Sequence, residues 1–65
     1  MRNKTEKLEL VKGTLDICRN MAKDNEERQK TWAEQGESNN AFTCRMLADA
    51  YSFIAHLLEN DLRDE

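Results

Sequence analysis

Apolar residues recur in this chain at alternating intervals of three and four residues, in two runs separated by a segment that contains Gly36. The first run consists of Leu8, Val11, Leu15, Cys18 and Ala22, and continues through Asn25 and Gln29 to Trp32. The second run consists of Cys44, Leu47, Tyr51, Ile54 and Leu58. Because this spacing places residues on one stripe of an α-helix, each run predicts an amphipathic helix.

The helix boundaries follow from local signals around the two runs. Asn3 is a suitable N-cap, and the first helix is predicted over about residues 4–34. Gly36 can adopt the left-handed conformation that ends a helix, which predicts a turn over about residues 35–39 and a second helix over about residues 40–62. A connection this short joins antiparallel neighbours. We therefore expect residues 1–65 to form a single all-α domain, an antiparallel helical hairpin.

Composition and cysteine placement favour a cytoplasmic protein. The chain has 35% charged residues and no proline, and its N-terminal segment lacks the apolar run that directs export. In an antiparallel hairpin Cys18 and Cys44 lie too far apart along the helices to form a disulfide, so we expect both to be reduced. A disulfide between the Cys44 residues of two subunits is the alternative.

Each helix carries a second apolar stripe beside the first, and the stripes together exceed what one neighbouring helix covers. A monomer of this length has a thin core, and a second copy is a common way to enlarge it. We therefore expect two hairpins to form a homodimer, a four-helix bundle. The residues predicted to mediate self-association are Ile17, Met21, Met46, Ala50, Phe53 and Leu57. The alternative is that the same surface binds a different protein.

The end of the hairpin near the predicted turn combines a polar stretch of the first helix with an apolar stretch of the second. Asn25 and Gln29 occupy positions in the apolar run and can fix the register of the helices at a cost in stability. Alternatively, this end is incompletely covered, and Trp32, Phe42 and Arg28 bind a partner protein.

Binding to RNA or DNA is the alternative function. Residues 1–33 contain eight Lys or Arg against six Asp or Glu. In this interpretation Lys12, Arg19 and Lys23 contact phosphates. Acidic residues lie between them, and no row of exposed aromatic residues accompanies them, which favours a solvated face of mixed charge.

No residue pattern indicates catalysis, a metal site or a cofactor. Asp49, Ser52 and His56 follow helical spacing, but on a solvated helix they lack a pocket and oxyanion donors. Cys18, Cys44 and His56 have neither the spacing nor the convergence of zinc ligands. We therefore expect a non-enzymatic protein without a cofactor, a small oligomeric regulator or adaptor that binds a larger protein.

Overall fold

Two helices joined by a tight turn make up the described structure. The computed structural model describes residues 4–63, so the predicted cap Asn3 lies outside the described residues. Helix α1 spans Lys4–Glu34, helix α2 spans Ser38–Arg63, and the two pack against each other. The all-helical hairpin predicted from the two apolar runs is therefore confirmed. It is a rod of 49 × 15 × 15 Å.

The turn closes α1 with the bonding pattern that glycine favours at a helix C-terminus. Gly36 has a φ of +75°, a left-handed conformation that strains residues carrying a Cβ atom. The backbone N–H of Glu37 donates to the carbonyl of Trp32 at 2.9 Å, and the N–H of Gly36 donates to the carbonyl of Ala33 at 3.1 Å. These two bonds form a Schellman motif, which satisfies carbonyls at the end of α1.

Helix α2 begins directly after this motif, two residues before the predicted start at about residue 40. The carbonyl of Glu37 accepts a hydrogen bond from the N–H of Ala41 at 3.0 Å, which opens the helix. Only residues 35–37 separate α1 from α2, so the chain reverses direction within three residues. The turn therefore sets the position of one helix along the other.

On α1, the predicted apolar stripe is the face that contacts α2, and we call this contact the seam. Its buried residues are Leu15, Cys18, Ala22 and Asn25, and its half-buried residues are Leu8, Val11, Gln29 and Trp32. Leu15 and Cys18 form a core cluster with Ala55 of α2. The partly buried residues packed against this cluster are Tyr51, Leu58 and Leu62.

On α2, the predicted stripe is wrong at two of its five positions. The residues correctly placed at the seam are Cys44, Tyr51 and Leu58. Leu47 and Ile54 are instead 42% and 40% exposed, and the residues that follow them, Ala48 and Ala55, are buried. Because the distance between packed helices depends on the side chains at the contact, alanine lets α1 and α2 approach more closely. Helix α2 is therefore rotated relative to the predicted orientation.

Asn25 is the buried polar residue of the seam. It is only 3% exposed, and its Nδ2 donates to the carbonyl of Met21, one turn earlier in α1, at 2.9 Å. Among the described residues, no buried side-chain nitrogen or oxygen lacks a hydrogen-bond partner. The amide is thus accommodated within its own helix. Its role in fixing register stays a prediction.

Cys18 and Cys44 are both free and buried, as expected for reduced cysteines. Both lie in the seam, where they act as small apolar side chains. Burial of Cys44 inside the hairpin disfavours the alternative of a disulfide between two subunits, because a thiol has to reach its partner sulfur to form one.

Replacing each glycine by alanine is expected to change stability in opposite directions. Gly36→Ala places a Cβ atom at positive φ and should lower the free energy of unfolding by roughly 1–2 kcal/mol. Gly13 lies within α1 with open space around the position of a Cβ atom, so Gly13→Ala should raise it by roughly 0.5–1 kcal/mol. Urea unfolding followed by circular dichroism measures both changes. Shifts of the same sign would contradict the assigned turn.

Enlarging a seam alanine is expected to destabilise the hairpin. Ala48 has no exposed surface, so Ala48→Leu should overpack the seam and lower the free energy of unfolding by about 1–3 kcal/mol. Ala33→Leu, at an exposed position of α1, is the control and should change it by less than about 0.5 kcal/mol. A neutral Ala48→Leu variant in the same urea titration would show that alanine does not set the helix spacing.

Candidate interaction surface

One side of the hairpin is a shallow groove lined by residues of both helices, and we call it the polar groove. Its volume is about 260 Å³. The lining residues are Arg19, Ala22, Lys23 and Glu26 of α1 and Ser52, Ala55, His56 and Glu59 of α2. Because both cations and carboxylates line the groove, its charges largely offset one another.

A salt bridge links the two helices across the polar groove. Arg19 Nη2 donates to Glu59 Oε1 at 2.5 Å, and both side chains are exposed. This hydrogen bond, assisted by the charge of Arg19, lowers the pKa of Glu59 below its ordinary value, although partial desolvation of the carboxylate opposes the shift. The pair links α1 to α2 and contributes modestly to stability, as exposed pairs do.

Asp49 is paired with Arg45, whereas Ser52 and His56 line the polar groove. Asp49 Oδ1 accepts hydrogen bonds from Arg45, from Nε at 3.1 Å and from Nη2 at 2.5 Å, and this interaction raises the pKa of Arg45. Ser52 and His56 line the open polar groove. Within residues 4–63, no three His, Cys, Asp or Glu side chains are grouped as metal ligands, and neither helix is long and apolar enough to cross a membrane.

The side of α2 that faces away from α1 is apolar. Phe42, Met46, Phe53 and Leu57 each expose between 52% and 65% of their surface, and Ala50 is exposed between them. At about 100° per residue, these five positions form a row roughly opposite the seam. We call this row the outer stripe. Contiguous exposed apolar surface is typical of an interaction site.

A second apolar surface lies on the side of the hairpin opposite the polar groove, and we call it the side face. It consists of Leu10 and Ile17 of α1 and Leu47 and Ile54 of α2, all of them exposed. Helical geometry places these positions about a quarter turn from the seam on both helices, on the side away from Arg19. The side face exists because alanines, rather than Leu47 and Ile54, occupy the seam.

The residues predicted to mediate self-association are divided between the two apolar surfaces. Ile17 lies on the side face, and Met21 is half-buried beside the seam. The remaining four, Met46, Ala50, Phe53 and Leu57, belong to the outer stripe. Sequence reasoning missed Leu47 and Ile54 as surface residues because their 3-4 spacing matched a core stripe. The signal that could have identified them is the pair Ala48 and Ala55. These small residues follow Leu47 and Ile54 by one position and share their spacing of seven residues.

Arg28 and Trp32, two of the three residues predicted to bind a partner near the turn, come together in the structure. With Thr31 they line a pocket of about 260 Å³ on α1. Trp32 is half-buried, whereas Arg28 is exposed and pairs with Asp24 at 3.2 Å. Phe42, the third predicted residue, is exposed on the outer stripe and does not line this pocket.

The basic residues considered for nucleic-acid binding are exposed on α1, close to acidic groups. They are Lys12, Arg19 and Lys23. Arg19 is paired with Glu59, and Lys23 lines the polar groove together with Glu26. The surface around Arg19 and Lys23 is therefore mixed in charge.

Comparison of the chain with protein-family models, with curated proteins and with solved structures gave no match. Function therefore has to be inferred from the outer stripe, the side face and the polar groove.

The salt bridge across the polar groove predicts a pH dependence of stability. Because the pKa of Glu59 is lower in the folded chain than in the unfolded one, the stabilisation is present at neutral pH. It is lost as the pH falls from the ordinary carboxyl value of 4.5 through the folded pKa. Urea midpoints of the wild type, Glu59→Gln and Arg19→Gln across this range measure the effect. Both variants should lose the same acid-dependent component, and a loss in one variant alone would contradict direct coupling.

Proposed function

We propose that this chain is a non-enzymatic helical hairpin that self-associates into a four-helix bundle and acts as a small regulator or adaptor by binding a larger protein. The observation that carries the proposal is the amount of exposed apolar surface. Among residues 4–63, eight large apolar side chains are exposed, and all of them belong to the side face or the outer stripe. Surfaces of this kind are covered by association.

The energetics favour association because the seam buries little apolar surface. Among residues 4–63, Leu15 is the one large apolar side chain that is buried, and the other apolar residues of the core are alanine and cysteine. Burying a Leu, Ile, Phe or Met side chain contributes about 1.5–3 kcal/mol. Covering several of the exposed residues would therefore add as much as the roughly 3–5 kcal/mol that a single core of this size supplies.

The side face supports packing of two hairpins face to face. It contains residues of both helices, so a second hairpin laid on it brings four helices together around one apolar core. The same patch on both subunits can form this contact about a two-fold axis, as in most closed dimers. The bundle core would then include Ile17 and Ile54 of both subunits.

The polar groove lies on the opposite side and stays exposed in this bundle, so we assign it to the larger partner protein. Its mixed charges, with Arg19, Glu59, Lys23 and Glu26 on its walls, suit a polar partner surface. Trp32 and Arg28 lie on the same side of the hairpin as the side face, closer to the turn. A partner that uses them would therefore contact the bundle at its end.

Binding to RNA or DNA has less support than binding to a protein. Arg19 is paired with Glu59, and Glu26 lines the same groove as Lys23. Phosphate recognition depends on cations that are free to replace counterions. The proposal includes no catalytic step, since Asp49 is bound to Arg45 rather than directed to a histidine.

The proposed bundle predicts that a charge on the side face dissociates it. The wild type is expected to sediment at no less than twice the chain mass of 7.6 kDa. Ile17→Asp should lower this mass because association would bury an unpaired carboxylate against apolar residues. Asn20→Asp, also at an exposed position of α1, is the matched control and should keep the wild-type mass. Sedimentation equilibrium over a concentration series measures all three.

Two results would contradict the proposed bundle. A wild-type chain that stays monomeric across the concentration series would remove self-association altogether. An Ile17→Asp variant with unchanged mass would remove the side face as the interface. Because Ile17 is exposed, the variant should retain the hairpin, and its helical circular dichroism in the same buffer verifies that a change in mass reflects dissociation and not unfolding.

A further inference from the structure

The outer stripe is not covered in the proposed four-helix bundle. The side face lies about a quarter turn from the seam, whereas the outer stripe lies roughly opposite it. A hairpin packed on the side face therefore does not reach Phe42 or Phe53, which expose 65% and 63% of their surface. The outer stripe needs an occupant of its own.

The four large residues of the outer stripe lie symmetrically about one midpoint of α2. This midpoint lies between Asp49 and Ala50, and Met46 and Phe53 are equally distant from it along the chain. The next equidistant pairs are Phe42 with Leu57 and, beyond the stripe, Asn39 with Asn60. Large apolar residues thus lie at equal distances on both sides of the midpoint, with Asp49 and Ala50 beside it and an asparagine beyond each end.

Such an arrangement suits a contact about a two-fold axis. In a contact between identical surfaces, residue i of one copy meets residue j of the other, and residue j meets residue i. If a second α2 crosses the outer stripe in the antiparallel direction, Met46 meets Phe53 of the partner subunit and Phe42 meets Leu57 of the partner subunit. A surface for an unrelated helix has no need of this symmetry.

We propose that the outer stripe binds α2 of a second copy of this chain, antiparallel, with the two-fold axis passing between Asp49 and Ala50. The contact rests on the self-association proposed above and adds a second interface to it, with a defined helix and register. Because the side face and the outer stripe point in different directions, both can be occupied at once. Four-helix bundles would then be joined to one another through their α2 helices.

The residues near the proposed axis suit a close contact. Ala50 is small, so the two helices can approach closely at the axis. Asp49 is the nearest charged residue, and two copies would bring their Asp49 carboxylates near each other. Each carboxylate is already paired with Arg45 of its own helix at 2.5 Å, which reduces the repulsion.

The outer stripe supplies much of the area that a specific interface buries. The four large residues of the outer stripe expose between 52% and 65% of their surface. At about 150–250 Å² for each large side chain, this amounts to on the order of 400 Å² per chain. Two copies would bury on the order of 800 Å² from these residues, which is less than the roughly 1,200 Å² of stable interfaces, so the residues around the stripe have to supply the remainder.

Disulfide trapping tests the proposed register. In the contact, the two Ala50 residues lie beside the axis within disulfide reach, so Ala50→Cys treated with glutathione disulfide should become a covalent dimer on non-reducing electrophoresis. His56→Cys, in the polar groove, is the matched control and should stay monomeric. The wild type, with Cys18 and Cys44 buried, gives the background.

A charge pair added to the Ala50→Cys chain tests the direction of the helices. Met46→Lys alone should abolish the covalent dimer because it places a lysine in an apolar contact. Adding Phe53→Glu should restore it, since each lysine then meets a glutamate of the partner subunit. A parallel contact would set lysine against lysine, and the covalent dimer would stay absent.

The outcomes separate this proposal from the proposed bundle. Cross-linking of Ala50→Cys no stronger than that of His56→Cys, or a charge pair that fails to restore it, overturns the contact through the outer stripe. Either result leaves the side face untouched, because Ile17→Asp tests that surface independently. Conversely, cross-linking of Ala50→Cys together with an unchanged mass of Ile17→Asp supports the outer-stripe contact and removes the bundle.

Discussion

Close packing of small side chains at the seam determines how the rest of the hairpin is exposed. Ala48 and Ala55 fit against α1 at a distance that larger residues would increase. Because an α-helix holds its side chains at fixed angles, the choice of these residues for the seam also sets the direction of every other side chain of α2. The larger apolar residues are thereby turned toward solvent. The apolar surface available for association is a consequence of the small core.

One side of the hairpin is charged and the other is apolar, because both helices contribute charged residues to the first side and apolar residues to the second. Arg19 and Glu59 face each other across the polar groove, while Ile17 and Ile54 are exposed on the opposite side. A rod with this asymmetry covers its apolar side when two copies meet and leaves its charged side to solvent. In the proposed function, self-association and recognition of a different protein use separate surfaces of one small domain.

Local signals in the sequence were sufficient for the hairpin and for the contact face of α1. The 3-4 spacing from Leu15 to Trp32 and the need for a positive φ at Gly36 act within a few residues, so they can be identified without tertiary information. The rotation of α2 could not be predicted in this way. That helix is apolar over most of its circumference, so periodicity allows several faces, and hydrophobicity favours Leu47 and Ile54 over the alanines. The sequence predicted more apolar surface than one neighbouring helix covers. The division of this surface into the side face and the outer stripe depends on the rotation of α2.

The three-residue turn also affects the order in which the helices come together. Seam positions beside the turn, such as Trp32 and Ala41, are close in sequence, whereas Leu15 and Ala55 are separated by most of the chain. The entropy lost in closing a loop increases with its length, so contacts beside the turn form at the lowest cost. We therefore expect α1 and α2 to close from the Schellman motif toward the far end of the rod. Pairing of the helices thus begins beside Gly36, the residue that ends α1, and proceeds away from it.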